Sequence, residues 1–147
     1  MNQSLEGNLT YDFTLDRIAI QDVMLRYATG VDEKDFTLYR SCFIDDVEVV
    51  DFGPQPVHGA DNWLYHVENA INKFRSTQHM LGPTYAVIDG DVAETRTDVQ
   101  ALHCPVDEAE SNFILWATYK TRMVRSDTGW KIQHHRLVTR SSRRDKD

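Results

Sequence analysis

The hydrophobic pattern changes its period near the middle of the chain, and this change constrains the fold more than any other feature. Up to about residue 74, apolar residues recur every three or four positions, a spacing that predicts amphipathic helices. From residue 85 onward apolar and polar residues alternate, which predicts strands. Helices followed by consecutive antiparallel strands indicate an α+β domain with its helices on one face of the sheet.

Three helices are predicted in the first half of the chain. The first covers Leu15–Thr29, with Thr14 as its N-cap and Gly30 as its stop. A second, short helix follows Asp32, and a third begins near Asp61. The apolar residues of each helix lie on one face, which predicts that all three pack against the sheet.

The strands are predicted from alternation and turn residues. One covers Val47–Phe52, before the third helix, and two more, Tyr85–Ile88 and Val92–His103, flank Asp89-Gly90, a dipeptide typical of tight hairpins. Two further strands follow at residues 113–123 and 130–139. Within 92–103 we expect small and apolar residues to face the concave side and charged residues to face away. The first set is Ala93, Thr95, Thr97, Val99, Ala101 and His103, and the second is Glu94, Arg96, Asp98 and Gln100.

Length, charge and cysteine content limit the classes of function. The 147 residues predict a single domain over 1–147, with a core from about 15 to 140 and frayed ends in the first dozen residues and at Ser141–Asp147. A net charge of −7 argues against nucleic acid or an anionic membrane as partner. Cys42 and Cys104 lack metal or redox spacing and no apolar run could span a membrane, so a cytoplasmic protein is expected.

Asp32, His79 and Tyr27 are candidates for chemistry. Asp32 follows the apolar stripe of the first helix, where it is either a functional carboxylate or the N-cap of the second helix. His79 lies among apolar neighbours where the third helix should meet the sheet, so it is either a hydrogen-bonded core residue or a catalyst. Tyr27 is by default a core aromatic residue whose hydroxyl needs a partner.

His103 is a further candidate, because alternation places it on the same strand face as Val99 and Ala101. It either lines a pocket or lies at the frayed end of its strand. The histidines show no metal-ligand spacing, and no phosphate-binding glycine loop or nucleophile elbow is present. No metal is therefore expected.

The last strand carries three adjacent polar residues whose orientation depends on its regularity. His134 and His135 must face opposite ways on a strand. Arg136 shares the face of Trp130 and Ile132 if no bulge intervenes. An inward arginine would need a carboxylate or a ligand as partner, whereas a surface salt bridge is the commoner role.

Five short segments resemble SnoaL-like domains of the nuclear-transport-factor-2-like superfamily. The segments are Arg26–Phe36, Cys42–Asp46, Ser76–Gly82, Asp89–Asp91 and Gly129–Ile132. They occur in the order and spacing of that family, over roughly residues 15 to 140. The resemblance implies a cone-shaped, curved, mainly antiparallel sheet that wraps around the N-terminal helices and encloses a deep pocket.

The resemblance also implies roles for the candidate residues. Scytalone dehydratase, bile-acid dehydratase and hexachlorocyclohexane dehydrochlorinase belong to this superfamily, and in them an aspartate and a histidine matching Asp32 and His79 form an acid–base pair. A tyrosine matching Tyr27 occurs in the bile-acid enzyme, and a second histidine near His103 occurs in scytalone dehydratase. Asp32, His79 and Tyr27 are therefore expected to be catalytic.

Other side chains are expected to form the walls of the pocket and bind substrate. These residues are Met24, Phe52, Trp63, His103, Tyr119 and Arg136. The chain departs from scytalone dehydratase in two places, because Val31 and Phe52 stand where that enzyme has tyrosines. These departures argue against scytalone itself as the substrate.

The resemblance predicts a cofactor-independent lyase (a dehydratase) or an isomerase. Its substrate would be a hydrophobic cyclic molecule such as a steroid, terpenoid or polyketide, and the chain would form a homo-oligomer, a dimer or trimer. Two alternatives stay open because one fold supports many functions. They are a non-catalytic ligand-binding or assembly module, and a hydroxylating or cyclase enzyme of the same fold.

Overall fold

The computed structural model describes residues 11–145, and three helices lie in the first half of this range. Helix α1 spans Tyr11–Asp32, α2 spans Phe36–Arg40 and α3 spans Ala60–Ile71. Helix α2 is capped by Asp35, whose carboxylate accepts a hydrogen bond from the Leu38 backbone N–H at 3.0 Å. Asp32 is therefore not the N-cap of α2, and its carboxylate is free for other partners.

Both predicted ends of the first helix are wrong, and Gly30 shows why. Thr14 and Gly30 lie within α1, which continues to Asp32. A Cβ atom at position 30 would lie 2.7 Å from the Tyr39 backbone nitrogen, closer than packed atoms tolerate. Glycine here allows α1 and α2 to approach each other and does not end the helix.

Seven strands form one curved sheet within the described residues. They are β1 Phe43–Val50, β2 Val57–His58, β3 Phe74–Leu81, β4 Tyr85–Asp89, β5 Val92–Pro105, β6 Phe113–Ser126 and β7 Gly129–Arg144. Their order is β2-β1-β7-β6-β5-β3, with β4 also pairing with β5. Strands β1 and β7 pair in parallel, and the other pairs are antiparallel. The α+β fold with a mainly antiparallel sheet is confirmed.

Two parts of the sheet differ from the sequence expectation. Strands β2 and β3 were not predicted, so His79 lies within a strand and not at a junction between helix and sheet. Strand β7 continues through residues expected to fray, because Ser141 and Arg144 pair with Trp116 and Phe113 of β6. The expected fraying of residues 1–10 and 146–147 falls outside the described residues.

The alternation along β5 confirms the predicted faces of the sheet. Within residues 93–101 the five buried residues are Ala93, Thr95, Thr97, Val99 and Ala101, and the four exposed ones are Glu94, Arg96, Asp98 and Gln100. His103 is half-buried near the end of this strand. Ala93, Val99 and Ala101 belong to the same buried core cluster as residues of α1, so this face of the sheet is the inner one.

A β-bulge in β7 reverses the face on which its later residues lie. Ile132 pairs with Met123, but the next pair joins His134 to Arg122, so Gln133 is an extra residue in β7. His135 consequently points inward and is fully buried, whereas Arg136 is exposed. The pairing of β7 thus decides which of its polar residues can reach the interior.

None of the helices in residues 11–145 combines the length and hydropathy needed to cross a membrane.

Candidate active site

A cavity of about 580 Å³ lies between the concave side of the sheet and the helices. Its walls are largely aromatic and aliphatic, and they include Tyr27, Val31, Tyr39, Phe52, Trp63 and Tyr119. No Asp, Glu, Lys or Arg of the described chain lines it. Such a cavity is large enough for a small cyclic molecule and favours an uncharged, apolar one.

Asp32 and His79 are in direct contact beside this cavity, as the resemblance implied. Asp32 is the last residue of α1, and His79 lies on β3, which packs against that helix. The His79 Nδ1 atom lies 2.7 Å from Asp32 Oδ1, and the His79 backbone N–H donates to Oδ2 at 2.8 Å. The Thr77 hydroxyl donates to Oδ1 at 2.9 Å. Three hydrogen bonds therefore hold the carboxylate against the ring.

The Asp32 carboxylate determines the tautomer of His79. Burial raises the pKa of Asp32, but the hydrogen bonds from His79 and Thr77 outweigh burial, so the pKa is lowered and the carboxylate is ionised. An ionised carboxylate can only accept, so Nδ1 carries the proton of a neutral His79. The other nitrogen, Nε2, is then an unprotonated base on a ring that lines the cavity.

His103 lies close to His79 and also lines the cavity. The two ring centroids are 5.7 Å apart, and the ring planes are nearly perpendicular. Burial lowers the pKa of His103, with a smaller contribution from the nearby His79 imidazole. A neutral His103 beside the dyad is able to form a hydrogen bond with a ligand.

Tyr27 also lines the cavity and belongs to a second polar cluster. Its hydroxyl oxygen lies 3.0 Å from His135 Nε2, and His135 Nδ1 lies 2.8 Å from Thr121 Oγ1. Burial raises the pKa of Tyr27 well above its usual range, so the phenol stays neutral. Burial also lowers the pKa of His135 to about 3, with a smaller effect from His134.

The expected wall residues divide into two groups. Phe52, Trp63 and Tyr119 line the cavity as expected. Met24 does not line the cavity, because its side chain is buried in the core and borders a separate depression near Leu81. Arg136 does not either, because the bulge turns it outward, where its Nε donates to Asp51 at 2.9 Å.

His135 is the polar residue of this region that sequence reasoning missed. A regular strand starting from an inward Trp130 would place His135 outward, and only the bulge brings it inside. One sequence signal was available: Tyr27, expected to be a core residue, carries a hydroxyl that needs a buried partner. Among the residues that the structure describes, no three His, Cys, Asp or Glu side chains are grouped as metal ligands.

A curved α+β cone with a polar dyad at the wall of an apolar cavity defines a class of small ligand-binding and catalytic domains. Residues 12–136 match the family model described as the SnoaL-like domain. The chain therefore belongs to the SnoaL-like family, within the nuclear-transport-factor-2-like fold. No curated protein sequence matches it.

Solved structures share this fold at low sequence identity. A proposed scytalone dehydratase from Novosphingobium aromaticivorans superposes with a TM-score of 0.83 at 23% identity, over 91% of this chain and 90% of that one. A hexachlorocyclohexane dehydrochlorinase (LinA), type 2, gives 0.83 at 23%, over 92% of both chains. A proposed aromatic ring hydroxylase from N. aromaticivorans gives 0.82 at 23%, over 90% and 94%. At this identity the similarity establishes the fold alone.

Proposed function

We propose that this protein is a cofactor-independent lyase or isomerase that uses His79 as the general base. The observation that carries the proposal is the contact between Asp32 and His79, which directs His79 Nδ1 to the carboxylate on a ring that lines an apolar cavity. The names of two structural neighbours, a dehydratase and a dehydrochlorinase, agree with elimination chemistry.

The proposed reaction begins with proton transfer from carbon to His79 Nε2. The electron pair of the broken C–H bond forms a carbon–carbon double bond, and a leaving group departs from the adjacent carbon with its own pair. Asp32 stabilises the imidazolium, which then returns its proton to the departing hydroxyl. In an isomerisation no group leaves: the electron pair moves into an adjacent carbonyl to form an enolate, and the imidazolium returns its proton to another carbon. Tyr27 donates a hydrogen bond to a substrate oxygen on which charge develops. Positioned proton transfer of this kind contributes roughly 10²–10⁴-fold in rate.

The lining of the cavity supports a neutral, hydrophobic, cyclic substrate. The walls carry no charged carboxylate, ammonium or guanidinium group among the described residues, so a charged substrate would lose its hydration without a partner. Phe52 and Tyr119 stack nearly parallel, with ring centroids 6.2 Å apart, and present flat aromatic surfaces. A steroid, terpenoid or polyketide ring fits this description.

The first experiment measures proton abstraction without knowledge of the natural substrate. The purified protein is incubated in D₂O with 2-tetralone, a neutral cyclic ketone with acidic C–H bonds, and deuterium incorporation is followed by NMR. A parallel panel contains scytalone, hexachlorocyclohexane and a hydroxylated 3-oxo steroid, with loss of water or chloride as the readout. Oxygen consumption is recorded throughout, because it would indicate a hydroxylating enzyme instead.

The variant His79→Gln should lower exchange or turnover by at least about 100-fold, since glutamine cannot accept the proton. The matched control is His58→Gln, an exposed histidine outside the cavity, which should keep the wild-type rate. Equal rates in His79→Gln and wild type would refute the assignment. Tight ligand binding without exchange or turnover would instead support a binding module.

A further inference from the structure

The cluster of Thr121, His135 and Tyr27 lies behind the inner wall of the cavity and is separate from the Asp32–His79 pair. All three residues are nearly inaccessible to solvent, with exposed fractions of 2% for Thr121, 0% for His135 and 2% for Tyr27. The His135 ring joins the two hydroxyls, with Nδ1 2.8 Å from Thr121 and Nε2 3.0 Å from Tyr27. Only Tyr27 of the three lines the cavity.

A neutral imidazole has one donor and one acceptor nitrogen, so the hydrogen bonds in this cluster must run in one of two directions. In the first, Thr121 donates to Nδ1 and Nε2–H donates to the Tyr27 oxygen. In the second, Tyr27 donates to Nε2 and Nδ1–H donates to the Thr121 oxygen. The tautomer of His135 therefore decides whether Tyr27 donates its proton to the His135 ring.

The position of Thr121 distinguishes the two directions. Within the described chain its hydroxyl has no hydrogen-bond partner other than His135 Nδ1. In the second direction the Thr121 proton would be buried without an acceptor, which is costly. In the first direction the Thr121 and His135 protons are both donated within the cluster, and the Tyr27 proton is not. Tyr27 is the one residue of the cluster that borders the cavity, where its hydroxyl lies beside those of Tyr39 and Tyr119.

We propose that His135 is a positioning residue, held by Thr121 in its Nε2–H tautomer, that donates to the Tyr27 oxygen. The ring then does not accept the Tyr27 proton, which a ligand oxygen in the cavity can take in place of the Tyr39 or Tyr119 hydroxyl. This arrangement selects ligands that combine an apolar ring system with a hydrogen-bond-accepting oxygen, such as a ketone carbonyl. That oxygen lies at the end of the ring system that contacts Tyr27. Its consequence for catalysis rests on the proposed function, since the same proton would stabilise an enolate formed by His79. The binding preference does not depend on turnover.

The decisive measurement is the protonation state of the His135 ring nitrogens by ¹⁵N NMR on histidine-labelled wild-type protein near pH 7. The assignment is made by loss of the signal in His135→Gln. We expect a protonated Nε2 and an unprotonated Nδ1. A protonated Nδ1 would overturn the proposal, because Tyr27 would then donate to the ring.

A matched pair of substitutions tests the role of Thr121. Thr121→Val removes the donor at nearly constant volume, whereas Thr121→Ser keeps it. Affinity is measured for 2-tetralone and for tetralin, which has the same rings without the oxygen. Wild type and Thr121→Ser should favour the ketone by about three- to tenfold, the effect of one net hydrogen bond, and Tyr27→Phe should lose this preference. Thr121→Val should reduce it and shift the His135 signals toward a mixture of tautomers.

The two proposals fail in different ways. If deuterium exchange is absent but the Nε2–H tautomer and the ketone preference are found, the catalytic proposal fails and the positioning role of His135 stands. If exchange depends on His79 but Thr121→Val keeps the full ketone preference, the positioning role is refuted and the catalytic proposal stands.

Discussion

Replacement of His135 by glutamine should make the stability of the protein less sensitive to acid. The ring of His135 is fully buried, and its pKa is lowered by burial from 6.5 to about 3. Because the folded-state pKa lies below the unfolded-state value, the unfolded chain binds the proton more readily between these limits. The stability gained by keeping His135 neutral is therefore fully present above about pH 6.5 and is lost as the pH falls toward about 3.

The expected magnitude follows from the same two values. The pKa of His135 is 6.5 in the unfolded chain and about 3 in the folded protein. At about 1.4 kcal/mol per pH unit, this difference lowers the free energy of unfolding by at most about 5 kcal/mol. Between pH 7 and pH 5 the linkage relation gives about 2 kcal/mol, and any folded-state pKa below about 4 gives the same result over this range. The range from pH 7 to pH 5 thus captures a large effect under mild conditions.

The assay is urea unfolding, followed by tryptophan fluorescence at pH 7, 6 and 5. The free energy of unfolding should fall by about 2 kcal/mol more in wild type than in His135→Gln over this range, whatever the absolute stability of the variant. His58→Gln is the control and should keep the wild-type pH dependence, since its ring is largely exposed. Equal pH dependence in wild type and His135→Gln would contradict a buried, neutral His135.

Two further pairs of substitutions test the packing and the site. Gly30→Ala should destabilise the protein by about 1–3 kcal/mol, because the new Cβ would meet the Tyr39 backbone at 2.7 Å, although alanine ordinarily favours a helix. Gly53→Ala, with no atom within 4 Å of the new Cβ, should change the unfolding free energy by less than about 0.5 kcal/mol, and similar losses in both variants would contradict this account. Asp32→Asn should lower deuterium exchange by at least about 100-fold, because the amide no longer stabilises the imidazolium and can hold the wrong tautomer, whereas Tyr27→Phe removes one donor and should cost less. The reverse order of these two effects would contradict the assigned roles.

Much of the fold could be predicted from local patterns. The change of period separated helices from strands, and Asp89-Gly90 located the hairpin between β4 and β5. The alternation along β5 gave the correct inner face, because neither its pairing with β6 nor that with β3 contains a bulge within residues 92–101. Strand β3 was missed because it lies at the sheet edge, and its outward residues, such as Met80, do not follow a simple apolar alternation.

The approach of Asp32 to His79 depends on more than local pattern. Their separation of 47 residues carries no local signal, and only the family resemblance paired them. In the structure the pairing results from the antiparallel register of β3 on β5, together with the extension of α1 through Gly30 to Asp32. The sequence thus identified Asp32 and His79 as candidates, but the distance between them depends on how α1 packs against the sheet.

Only the tertiary structure determines which residues form the second polar cluster, that of Thr121, His135 and Tyr27. The sequence established that His134, His135 and Arg136 lie on a strand and that neighbours face opposite ways. It did not establish which of them faces inward, because one unpaired residue, Gln133, inverts the side chains that follow it, up to a second irregularity at Arg140. Local propensity determines that a strand forms, but a bulge is stabilised by contacts with β6 and α1, and these exist only once the sheet has closed over the helices.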